Sequence, residues 1–231
     1  MTLDFSIIGV SFPYLFLDGM RLTLELTIVG ASGGLVLGTL VALLRGSRRR
    51  LVRLGATLYV DVLRALPLIL IIFWFYFLAP FVAAALMGGG TPPAIGAFTS
   101  AILALILFEG AYFCEIVRAG IQAVPSGQVR AALALGLSPA RTMLLIVLPQ
   151  AFRHVVPILL TQVIVLFQDT SLVSVISLTD FLGAASNVAE RDGHIVELYL
   201  TAALTYFTIC LSLSLVVRRQ QRRLAVRARI G

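Results

Sequence analysis

Among the ionisable side chains that fall inside apolar runs are Arg64, Glu109, Glu115 and Asp169. A charge placed in hydrocarbon is costly, so an ionisable residue in such a run is a functional candidate by default. Asp169 stands in a short polar group, Gln168-Asp169-Thr170-Ser171. That group suits a polar solute, with the Gln168 amide meeting its polar atoms and Asp169 meeting an ammonium. A ligand that also carries a carboxylate requires a cation or a helix N-terminus elsewhere. Arg64 is the intramembrane cation available, and Pro67 beside it opens backbone groups. Each residue also has a structural reading. Arg64 is then a snorkelling anchor, Pro67 a kink and Asp169 a hydrogen-bonded structural acid. Glu115 and Arg118, three residues apart on one helical face, read as an i,i+3 pair.

Other chemistry is excluded by what the chain lacks. It has 18 basic residues, all arginine, so a phosphate-cradling G-x-x-x-x-G-K-[ST] loop is impossible. No nucleophile–base constellation and no metal-ligand spacing appears, and the expected metal set is none. Cys114 and Cys210 lie in apolar segments, where cysteine acts as a small hydrophobe. His154 and His194 call for no special role.

The elements that must hold these residues follow from composition. Of 231 residues 59% are hydrophobic and only 13% charged, against about one quarter charged in an ordinary soluble domain. This is an all-α integral membrane protein, read as one transmembrane domain over 1–231 with no appended soluble domain. A span takes about 20 apolar residues, and five segments qualify, at 22–44, 58–77, 97–117, 155–176 and 198–217. The first is rich in small residues (Gly30, Ser32, Gly33, Gly34, Gly38), which lets a neighbouring helix approach closely. The run Phe73 to Phe77 reads as interfacial belt and packing. Met1 to Asp4 lacks the basic region of a cleaved signal peptide, so the first span is expected to be its own insertion signal.

Arginine sets the orientation. Arg45, Arg48, Arg49, Arg50 and Arg53 follow the first span, and Arg118, Arg130, Arg141 and Arg153 follow the third. Six more lie between Arg218 and Arg229, whereas the opposite loops carry only Arg21 and Arg191. The bias places the N-terminus outside and the C-terminus in the cytoplasm. The net charge of +7 clusters beside apolar runs rather than on one polar face, and nucleic acid is excluded as a partner. The outer patch Glu190-Arg191-Asp192 reads as a solvated loop or a contact for a partner protein.

Residues 125–149 break the pattern. A turn at Pro125-Ser126-Gly127 opens a short alanine- and leucine-rich helix that stops at Gly136. A second helix starts at Ser138-Pro139, Ser as N-cap and Pro in the first turn, and Pro149 and Pro157 are expected to limit its run into the fourth span. Two short helices with apolar surface on the cytoplasmic side suit docking of a soluble partner. With no repeated half and few membrane acids, energy from a separate subunit is the economical reading.

The residues carry a family resemblance at this point. Gly127-Gln128-x-x-Ala131-Ala132, then Leu135-Gly136 and Leu148-Pro149-Gln150-Ala151, resemble the coupling loop of ABC importer permeases, best in the polar amino acid branch. Gly19-x-x-x-Thr23-Leu24, Arg64-Ala65-Leu66-Pro67-Leu68, Glu115-Ile116-x-Arg118-Ala119-Gly120-Ile121 and Asp169-Thr170-Ser171-Leu172 match the branch in order and spacing. Leu159 to Gln162, Leu166 to Leu172 and Glu190-Arg191-Asp192-Gly193 look most like glutamate/aspartate import permeases. One departure stands out: most of the family has Glu where this chain has Arg130. The resemblance implies a type I importer fold with five transmembrane helices in a bacterial inner membrane, and Gly127, Gln128, Arg130, Ala131, Ala132, Gly136, Leu148 and Pro149 as the coupling loop. It also implies cytoplasmic ATPase subunits that hold ATP and magnesium, a second permease and a periplasmic amino-acid-binding protein. This chain itself binds no cofactor. A stand-alone secondary transporter or channel, a membrane enzyme, and an importer for glutamine or basic amino acids are the competing readings.

Overall fold

The computed structural model describes residues 3–230, with side chains to residue 221; the arginines beyond 221 lie outside the described side chains. The described residues form helices α1 (Ser6–Arg45), α2 (Arg50–Ala65), α3 (Leu68–Leu86), α4 (Ala97–Ala123), α5 (Ser126–Ala134), α6 (Pro139–Ile176), α7 (Phe181–Asp192) and α8 (Ile195–Ile230). Five of them, α1, α3, α4, α6 and α8, are long and apolar enough to cross a membrane.

Helix α1 has 40 residues and α6 has 38, roughly 60 Å each at 1.5 Å per residue, twice a hydrocarbon core of about 30 Å. With Arg45 at the cytoplasmic face, roughly the N-terminal half of α1 stands outside the core on the outer side. Helix α6 runs the other way, and roughly its first half stands out on the cytoplasmic side. A short helix packs on each projection, α7 on α1 and α5 on α6.

The small residues of α1 pack on α4. A Cβ on Gly34 would meet the Glu109 Cβ at 2.8 Å, and one on Gly38 would meet the Gly110 carbonyl at 2.7 Å. Only glycine permits that approach, which gives the small-residue face its partner.

The second span lies at 68–86 rather than 58–77. Leu66 and Pro67 are extended, with ψ of 143° and 138°, because a residue before proline is pushed out of the α region. Residues 50–65 form the separate helix α2, whose Tyr59 hydroxyl donates to the Leu107 carbonyl of α4 at 2.6 Å.

Pro149 and Pro157 do not limit the fourth span; α6 is continuous through both. A π-helical turn, Met143–Val147, ends two residues before Pro149, and another, Trp74–Leu78, ends two residues before Pro80. The wider turn takes up the clash between a proline ring and the carbonyl four residues back.

Candidate functional site

The cytoplasmic loop is built from its own backbone. At the end of α5 the Leu137 N–H donates to the Ala132 carbonyl at 3.1 Å and the Gly136 N–H to the Leu133 carbonyl at 3.0 Å. This is a Schellman closure, and it needs the positive φ of Gly136, 83°. Ser138 then caps α6, its hydroxyl accepting from the Arg141 N–H at 3.4 Å. Val124, Val147 and Ala151 form a buried cluster with Ile121, Val129 and Met143 that seals α5 against the end of α4 and the start of α6. A Cβ on Gly120 would lie 2.5 Å from Val155, so these two helices touch through glycine.

Outward the loop presents apolar and basic groups. Leu133, Leu135, Leu144 and Leu145 are exposed, Leu135 at 83%, alongside exposed Gln128, Arg130 and Arg141. No acidic residue occurs between Glu115 and Asp169. Among the described residues Arg130 reaches only the Ser126 hydroxyl, at 3.4 Å. Ala132 is buried under the loop and Leu148 half-buried, whereas Gly127, Ala131 and Pro149 are exposed.

The membrane acids do not form one site. Glu109 is fully buried between α1 and α6, and its carboxylate accepts from the Gln162 amide at 3.3 and 3.2 Å. Glu115 sits six residues further toward the cytoplasm and gathers three guanidinium groups. Arg45 bonds one of its oxygens and Arg118 the other at 2.6 Å, and Arg64 stands 3.8 Å away over the Tyr112 ring. The i,i+3 pair expected of Glu115 and Arg118 is therefore part of a larger hub joining α1, α2 and α4. Pro67 starts α3 beside that hub.

Gln168 and Ser171 line one cavity of 260 Å³ with Leu182, Tyr199, Ala202, Ala203 and Tyr206. Asp169 is half-buried and does not line it. Thr170 is fully buried and turns its hydroxyl to the Phe167 carbonyl at 2.8 Å, so it serves the helix. Arg64 is not brought to this group. Gln162 and Glu109 stand at one level, Gln168 lies six residues outward and Glu115 six inward, a separation of roughly 18 Å along the axis. No single amino acid touches both ends at once.

Above Gln168 a second cavity of 440 Å³ shares Leu182 and Tyr199 with the first and adds Ser174, Ser186, Asn187 and Glu190. Asp180 caps α7 between them, accepting from Gly183 N–H at 2.9 Å, Leu182 N–H at 3.2 Å and the Tyr206 hydroxyl at 3.4 Å. Burial pushes its carboxyl up to about 6, against the pull of those hydrogen bonds. At the far end of α7 the Arg191 fork holds Asp192 below the usual carboxylate range.

Sequence reading missed Arg45 as a partner of Glu115, the pairing of Glu109 with Gln162, and Asp180. Arg45 is written like a loop cation, and only the close approach of α1 and α4 turns it inward. Asp180 before an alanine-rich helix is an N-cap pattern that local sequence does announce. Among the described residues no group of three His, Cys, Asp or Glu could hold a metal.

Residues 34–226 match the family described as binding-protein-dependent transport system inner membrane component. The glutamate/aspartate import permease protein GltK of Escherichia coli O6:H1 is 48% identical over 222 residues, covering 96% of this chain and 98% of that protein. The glutamine transport system permease protein GlnP of Escherichia coli K12 is 30% identical over 98% of this chain and all of that one. A crystal structure of an amino acid ABC transporter with histidines superposes with a TM-score of 0.82 at 33% identity, covering 96% of this chain and 100% of that chain.

Proposed function

We propose that this chain, which belongs to the family of binding-protein-dependent transport system inner membrane components, carries acidic amino acids into the cell. As a member it is a membrane-spanning permease of amino acid import in the inner membrane. The acidic solute is supported by the 48% identity to a glutamate/aspartate permease over nearly the whole chain.

The observation that carries the mechanism is the sealed cytoplasmic loop. Its exposed leucines and arginines face outward while its buried face locks α4 to α6. A cytoplasmic ATPase closing on such a surface moves both spans together, because packed helices shift as bodies rather than deform. Arg130 and Arg141 make the docking surface basic, so the complementary ATPase surface is acidic or offers carbonyl acceptors there. ATP and magnesium are held by the ATPase. A periplasmic binding protein delivers the solute and a second permease completes the path. Gln168 and Ser171 contact the solute in the outer half, with Asp169 behind them. Arg64 and Pro67 act at a later position, beside Glu115 on the way to the cytoplasm.

The test is uptake of labelled L-glutamate into vesicles holding this chain with its neighbouring permease, ATPase and binding protein. Uptake requires ATP and is blocked by excess L-aspartate. Blockage by L-arginine or L-glutamine in place of L-aspartate would discard the acidic solute and keep the importer.

A further inference from the structure

Helix α2 is not among the five spans, yet it lies at membrane depth. Its Tyr59 hydroxyl meets the Leu107 carbonyl near the middle of α4, and Val60 packs with Ala111, Cys114 and Val117 of the same span. Its surface divides into three stripes. Ala56, Tyr59, Val60 and Leu63 pack on α1 and α4. Leu51, Leu54, Leu58 and Val62 form an exposed apolar stripe. Arg50, Arg53, Thr57, Asp61 and Arg64 form a polar one, half-buried at Thr57 and exposed elsewhere. Each of the first four polar residues stands one position before an apolar one, so the two stripes run side by side, about 100° apart around the axis. No ion pair among the described residues includes Arg50, Arg53 or Asp61. Charged side chains at membrane depth face a bundle interior or a water-filled cavity. The polar stripe therefore turns toward water and the apolar stripe beside it toward lipid.

The backbone adds an independent argument. Helix α2 ends at Ala65 and α3 begins at Leu68, with Leu66 and Pro67 extended between them. Non-helical backbone at membrane depth is tolerated only where protein buries it or where it lines a water-filled cavity. Ala65 and Pro67 are exposed, so this chain does not bury the break. From Arg50 to Arg64 the stripe is roughly 21 Å long. It joins the arginines of the cytoplasmic loop to that break.

We propose that the polar stripe of α2 lines the cytoplasmic half of the solute path, with Arg53, Thr57 and Asp61 as the positions passed after Arg64. This rests on the importer reading given above. Three arginines against one aspartate favour an anionic solute. Asp61, placed between Arg53 and Arg64, keeps the solute from lodging at either, since passage needs sites that release as well as bind.

The test is thiol accessibility in the assembled transporter, in inside-out membrane vesicles, with labelling read on this chain. Both native cysteines are buried. Thr57→Cys and Asp61→Cys react with a charged, membrane-impermeant methanethiosulfonate at least tenfold faster than Leu58→Cys and Val62→Cys, their neighbours on the apolar stripe. ATP with vanadate, which holds the ATPase closed, slows the reaction at Thr57→Cys several-fold. Relative to their rates with a free thiol in solution, an anionic reagent outpaces a cationic one at Thr57→Cys, and Arg53→Gln reduces that preference. Equal rates on the two stripes, or a rate at Thr57→Cys that the closed ATPase leaves unchanged, overturn the assignment. A preference for the cationic reagent overturns the anionic path. ATP-driven L-glutamate uptake by the unsubstituted transporter is read in parallel. Its absence defeats the reading as an importer of acidic amino acids, whereas its presence with unreactive thiols on the polar stripe defeats this assignment alone.

Discussion

The outer half of α1 and the inner half of α6 project from opposite faces of the membrane, and each carries one short helix. They are fastened differently. Inside, α5 is closed by backbone bonds of its own turn, Leu137 to Ala132 and Gly136 to Leu133, and sealed by an apolar cluster. Outside, α7 is tied by side chains from distant parts of the chain. The Phe181 N–H donates to the Thr23 hydroxyl at 3.0 Å, Tyr206 reaches Asp180, and Asn187 reaches Tyr14. The inner projection has exposed leucines, as a docking lever needs. The outer one is flanked by polar cavities, as a surface that handles solute needs. On the proposed function, rigidity and recognition fall on separate faces of one permease.

The largest effect is expected from breaking the base of the lever. Gly120→Val drives methyl groups into Val155 and the Ala151 carbonyl and costs about 1–3 kcal/mol of packing or more. Binding-protein-stimulated ATP hydrolysis by the assembled transporter is lost, while the variant permease is still recovered from the membrane. Next comes the loop closure itself. Gly136→Val must adopt a φ of 83°, a strain of about 1–3 kcal/mol, and the yield of ATPase co-purified with the permease falls by about tenfold.

On the outer side the expected effect depends on pH. Asp180 lies outside the spans and its folded carboxyl is raised from 3.8 to about 6. The stability tied to its proton is complete below the unfolded value and is lost as pH rises through the folded one. The outer lobe therefore unfolds at lower temperature at pH 7 than at pH 4.5, and Asp180→Asn, which keeps a side-chain acceptor, flattens that difference. The smallest effect falls on the cavity around Gln168. Gln168→Ala removes one neutral hydrogen-bonding group, about 1 kcal/mol, and shifts the ratio of L-glutamate to L-glutamine uptake by a few-fold without changing ATP hydrolysis. An unchanged ratio removes Gln168 from the path.

These two faces also differ in how far they can be read from sequence. Gly136, Ser138 and Pro139 announce the inner turn because caps and positive φ are local requirements, and the structure has the turn and the cap there. The five spans and the small-residue face of α1 are equally legible, since both rest on composition and spacing. The start of the second span was not, because apolar residues continue smoothly across Leu66–Pro67 and hydropathy does not register a backbone break. Nor was the passage of α6 through Pro149 and Pro157, where a π-helical turn before Pro149 and the neighbouring helices accommodate what an isolated helix does not. Arg45 on Glu115, Gln162 on Glu109 and Tyr14 on Asn187 join residues 53 to 173 positions apart. Such pairs exist only after the helices have packed.

The central claim is that force enters through the apolar face of the cytoplasmic loop. The most direct measurement is ATP-driven L-glutamate uptake by the complete transporter carrying Leu135→Asp together with Leu145→Asp, two exposed positions that bear no part of the core. The account predicts that uptake and binding-protein-stimulated ATP hydrolysis disappear together while the permease still assembles in the membrane. Uptake at the unsubstituted rate with that face charged would contradict it.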